Sequence, residues 1–144
     1  MTAFRTLCTV VVLMALANIT MAQQRAKLPE MDMAYTLKSF TARCSLARIP
    51  VRIEGRTSAQ ISRDLILSGD AMQACIDKAK VDGREVYRKT VLVAPASRAM
   101  LQHVYALWLG YANSMIAHME PQESVAQDRL EAAINDMQAR LDTP

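Results

Sequence analysis

Met115, His118 and Met119 stand at positions i, i+3 and i+4, so on a helix two thioethers and an imidazole share one face. Soft ligands of that kind suit Cu(I), and Met31 and Met33 are further thioethers that a first helix could bring to the same ion. The simpler account is packing. Methionine is a common core filler, and Met115 and Met119 continue the apolar arc that begins at Leu101, Val104 and Trp108. The chain's two histidines, His103 and His118, are 15 residues apart on that same stretch, about 22 Å along a helix axis. One straight helix cannot present both to one substrate atom, and residues 95–119 contain no Asp or Glu to orient either ring. No Ser-His-Asp order, HExxH run or paired-carboxylate motif is present, so the sequence reads as non-enzymatic and implies no cofactor.

Cys44 and Cys75 are the only cysteines after residue 22. Each falls on the apolar side of its segment, with no CxxC spacing and no histidine beside it, which favours a disulfide between two helices over a redox or metal-binding pair. Lys80, Arg84 and Arg88 recur every four residues, and on a helix they stack three like charges that would repel one another. Such a row serves either as a solvated or internally neutralised face, or as a landing site for an acidic partner. Tyr105, Trp108 and Tyr111 offer the alternative of an aromatic interface cluster, because such residues dominate contact energetics when a partner covers them.

The elements that must position these residues begin with a leader. Arg5, the apolar run from Leu7 to Ala17 and the small residues near Ala22 make residues 1–22 a secretory signal peptide, leaving residues 23–144 as a single helical domain. The apolar run is too short to span a bilayer, which takes about 20 residues, so no stable membrane insertion is expected after cleavage. Removal of the leader takes Arg5 with it and leaves 16 basic against 14 acidic residues. That balance, without interleaved aromatics, gives no support for nucleic-acid binding. The charges are unevenly placed. Residues 23–98 hold 14 Lys or Arg against 8 Asp or Glu, and residues 99–144 hold 2 against 6. A basic first half and an acidic last helix are expected to complement each other within the fold.

Apolar periodicity places a first helix from Glu30 to the neighbourhood of Pro50, with Met33, Leu37, Phe40, Cys44 and Ala47 on one side. Thr57-Ser-Ala-Gln60 is a capping box that opens a second helix, whose inner face reads Ile61, Leu65, Met72, Cys75 and Ala79. Gly69 and Gly83 suggest breaks in it, and Thr90-Val-Leu-Val93 leans toward strand but lacks a partner. The stretch from Pro95 to Met119 is apolar over about 200° of arc, more than one neighbour covers, and marks the central helix. Glu120-Pro121 restarts the chain into a last helix with Ala126, Leu130, Ile134, Met137 and Leu141 inward.

The expected fold is all-α: a small bundle of four helices, or five if the second one breaks, with short loops and one inter-helix disulfide. The expected function is that of an exported helical protein, periplasmic or secreted, acting by protein–protein binding or as a homodimer. An inhibitor, an immunity-type protein or an envelope accessory factor would fit, with a periplasmic Cu(I) protein as the alternative.

Overall fold

The computed structural model describes residues 28–46, 48, 53–117 and 120–143. The leader and the tail before Leu28 lie outside that range, as do Ala47, His118 and Met119. Four α-helices follow one another: α1 (Pro29–Leu46), α2 (Ser58–Val93), α3 (Arg98–Ile116) and α4 (Glu120–Asp142). A single 3-10 turn, Pro95–Ser97, joins α2 to α3. The described residues contain no strand.

Helix α1 starts on a proline, whose fixed φ suits a first helical turn. Glu30 and Asp32 follow in that turn and Arg43 lies in the last, as the helix dipole favours. Met31, Met33, Ala34, Leu37, Thr41 and Cys44 turn inward. The buried Thr41 hydroxyl is satisfied locally, donating to the Lys38 carbonyl at 3.0 Å. Phe40 stays half-buried, with the Arg43 guanidinium 5.0 Å from its ring centre.

The capping box is formed as expected. The Gln60 N–H donates to Thr57 Oγ1 at 3.3 Å, and the Thr57 N–H donates to Gln60 Oε1 at 2.9 Å. From there α2 runs for 36 residues, about 54 Å at 1.5 Å per residue, without the breaks anticipated at Gly69 and Gly83. The described residues therefore form four helices, the second one unbroken. Segment 81–93 is helical throughout, and its β-branched run is held by tertiary packing: Val86, Tyr87 and Val91 lean on the core. Thr90 is buried, its hydroxyl donating to the Val86 carbonyl at 2.9 Å.

Gly83 has a packing reason to be glycine. A Cβ built there would come within 2.5 Å of Trp108 Cη2, 2.7 Å of Trp108 Cζ3 and 3.0 Å of Leu37 Cδ2. The indole thus occupies the space that any other residue would need, and helix propensity yields to it. Gly83→Ala is expected to destabilise by about 1–3 kcal/mol through overpacking, despite a gain of about 1 kcal/mol in helix propensity. In a Trp108→Phe background, where the outer ring is gone, the same change should become neutral or stabilising. A double-mutant cycle by urea denaturation checks this; equal costs in both backgrounds would show that the indole is not the obstacle.

Helix α3 is central, packing against α1, α2 and α4. Its fully buried stripe is Leu101, Val104, Trp108, Ala112 and Met115. Tyr105, Leu107, Leu109, Tyr111 and Ile116 flank that stripe, half-buried against the neighbours, which accounts for the width of the apolar arc. Trp108 is 0% exposed and donates its indole N–H to the Leu37 carbonyl at 2.8 Å. Burial of the largest side chain and satisfaction of its one polar atom are thus achieved together.

The first two helices form a stapled hairpin. Cys44 and Cys75 are disulfide-bonded, with Cα atoms 5.5 Å apart. At the other end of the bundle, Ser97 Oγ donates to the buried Glu30 carboxylate at 2.6 Å, joining the start of α1 to the α2–α3 turn. Helix α4 lies on α3 and reaches α1, burying Leu130, Ile134 and Met137. Lys38 meets Glu131 at 3.2 Å, and Arg48 meets Glu123 at 3.0 Å. The expected complementarity of a basic first half and an acidic last helix is therefore present between α4 and the α1 region. Helix α4 does not pack along α2, so it leaves the Lys80, Arg84 and Arg88 row uncovered.

Candidate binding face on α2

With Ser68, Met72, Ile76, Ala79, Gly83 and Thr90 directed to the core, the helical period turns another set of α2 residues outward. Val81, Arg84, Glu85, Arg88, Lys89 and Leu92 line a shallow open groove there. Val81 is 70% exposed and Leu92 81%, values large enough to make them surface anchors and not edges of the core. Between them, Glu85 and Lys89 pair at 2.6 Å. The hydrogen bond from Lys89, followed by its charge, holds the Glu85 carboxyl below its usual value. Arg84 and Arg88, one turn apart and both exposed, have no ion pair or hydrogen bond among the described residues.

The basic row anticipated from spacing is therefore split. Lys80 turns toward the flank, less exposed, with Asp77 at 3.8 Å, and Lys78 is engaged by Asp82 at 3.0 Å. Arg84 and Arg88 remain without an ion pair among the described residues, although the Arg88 charge adds a lesser share to the field that lowers Glu85. Sequence reasoning placed Lys89 near this row but missed Val81 and Leu92 as its apolar companions. The signal was available: residues 81, 85, 88 and 92 follow a helical period on the side opposite Met72, Ile76 and Ala79.

The three aromatic candidates do not form an outward cluster. Trp108 has no surface to offer a partner, because Leu37 and Gly83 enclose it. Tyr105 is half-buried between Tyr87 of α2, stacked at 4.7 Å and 11°, and Trp108, at 5.8 Å and 26°. It bridges two helices of its own chain. Tyr111 is half-buried toward α4. Its phenol is pushed above its usual value by burial first, then by the carboxylates of Glu123 and Glu131.

Among the other candidates, Met115 is fully enclosed in the core, as are Met31 and Met33 nearly so, while His118 and Met119 lie outside the described residues. Among the described residues, no group of three His, Cys, Asp or Glu side chains is placed to hold a metal. His103 is exposed in an open groove between α3 and α4, beside Met100, Ala133 and Leu141. Among the described residues it has no hydrogen-bonded carboxylate: Asp136, which lines the same groove, is held by Arg140 at 2.9 Å. No described helix is long and apolar enough to cross a membrane. Compared with protein-family models, curated proteins and solved structures, the chain gives no match to any of the three.

Proposed function

We propose that this is an exported, non-enzymatic protein that acts by binding an acidic segment of another protein along the outer face of α2 between Val81 and Leu92. An inhibitor, an immunity-type protein and an envelope accessory factor all fit that description. One observation carries the reading: Arg84 and Arg88 project side by side, with no ion pair among the described residues, between two exposed apolar anchors, while the chain's own acidic helix packs elsewhere. A partner helix with carboxylates one turn apart and an apolar residue beyond each would satisfy both features, through charge-assisted hydrogen bonds and burial of Val81 and Leu92. Export is supported by the leader-like residues 1–22 and by the Cys44–Cys75 bond, which suits an oxidising compartment.

The test is comparative capture from envelope extract by the oxidised protein and by the Arg84→Glu/Arg88→Glu variant. The reading expects a protein held by the native chain, released as salt rises, and bound at least about tenfold more weakly by the variant. Capture of the same proteins with equal affinity by both would overturn it.

A further inference from the structure

We propose that the first third of α2 is a self-association site, at which two copies of this chain pair antiparallel about a two-fold axis passing between Ile66 and Leu67. The proposal concerns a different part of α2 from the binding face above and does not depend on it.

Core contact along α2 begins at Ser68 and Met72. Ahead of it, Leu65, Ile66 and Leu67 are 57%, 64% and 53% exposed, and of residues 58–67 only Ile61 and Asp64 are even half-buried. Three successive apolar side chains on a helix spread over about 200° of its circumference, so no single neighbour within the bundle covers them. Leu65 lies on the same side as Met72, beyond the end of the bundle. Ile66 and Leu67 lie about 120° and 140° to either side of Met72, facing away from the core.

Charge identifies the occupant. Arg63 and Asp70 both project on that outward side, at about 180° and 160° from Met72. Both are exposed, and neither has an ion-pair or hydrogen-bond partner among the described residues. They are equidistant from the midpoint between Ile66 and Leu67, each about 5 Å along the axis. A two-fold axis at that midpoint places Arg63 of one copy opposite Asp70 of the other, twice over. It also sets Ile66 beside its own counterpart and Leu67 beside its own. Farther out, Ala59 meets Ala74, so no like charges are opposed. An isologous contact must be self-complementary, and this symmetric placement of opposite charges about an apolar centre is one way to make it so.

Sedimentation velocity of the oxidised protein over a concentration series tests the proposal. The variants are Arg63→Asp, Asp70→Arg and the charge-swapped double variant, with thermal melts confirming that each is folded. The native chain is expected to dimerise. Each single reversal sets like charges together at both ends of the contact and should weaken dimerisation by about a hundredfold or more. The double variant should regain the dimer, and an equimolar mixture of the two single variants should form a heterodimer. A native protein that remains monomeric at ~100 µM overturns the proposal. So does a dimer indifferent to both reversals, which would use another face, or a double variant that fails to recover.

Discussion

Trp108→Ala is expected to remove about 3–5 kcal/mol of stability, the range for truncating a large buried aromatic. Set against the roughly 5–15 kcal/mol typical of a whole domain, that is about a fifth or more of what holds a small protein folded. Two features place the effect at the upper end. Trp108 is completely enclosed, between α1 and α2, so the cavity cannot be filled by water from a nearby surface. Its N–H also reaches the Leu37 carbonyl, which loses a partner when the indole is removed. The stacked tyrosines should loosen with it, because Tyr105 rests on Trp108 on one side and on Tyr87 on the other. Urea denaturation followed by far-ultraviolet circular dichroism measures the loss. A cost below about 1 kcal/mol would mean that Trp108 is not enclosed as described.

Loss of the disulfide is expected to have a comparable effect by a different route. Cys44 and Cys75 are 31 residues apart, and closing a loop of that length lowers the entropy of the unfolded chain enough to contribute about 3–4 kcal/mol. The folded state should change little, because Cys44 is buried among α1 core residues and serine occupies nearly the same volume. For a domain of this size the Cys44→Ser/Cys75→Ser variant should melt about 10–20 °C lower than the oxidised protein. Reductant should lower the native protein's midpoint by a similar amount and leave the variant's unchanged. A midpoint insensitive to reductant in both proteins would contradict the account. The bond sits where α1 ends against the middle of α2, so its loss should free the end of α1 more than the Glu30–Ser97 end of the bundle.

Much of this architecture was legible in local sequence because the signals are local. Thr57 and Gln60 satisfy each other's backbone within one turn, and no tertiary contact is needed to predict them. Leu130, Ile134 and Met137 repeat at the helical period, and all three are buried. The wide apolar arc of residues 95–119 marked the segment that every other described helix contacts. The misreadings arose where a distant residue decides. Gly83 reads as a break until Trp108 is seen to fill the space beside it. Leu65 belongs by period to the inner face of α2, yet stands exposed because the bundle ends before reaching it. The acidic residues of α4 were free in sequence to meet any cation; the short α3–α4 connection places them against Lys38 and Arg48, not against Arg84 and Arg88.

The candidate site was legible only in part for the same reason. Spacing identified Arg84 and Arg88, but which cations were already neutralised by Asp77, Asp82 or Glu85 depends on side-chain placement around the helix. The aromatic trio looked like an interface because its apolar arc exceeded what one neighbour covers. Three neighbours cover it instead.

Both proposed contacts and the core itself depend on α2 being one uninterrupted rod, with one side buried and the other free. The most direct measurement is the distance between spin labels attached, without cysteine chemistry, at Ala59 and Leu92, both on its exposed side, with the labelled protein diluted into an excess of unlabelled chain so that only distances within one copy are read. An unbroken helix predicts one narrow distribution near about 50 Å. A broad distribution, or a peak below about 40 Å, would mean a bend at Gly69 or Gly83 and would contradict the account.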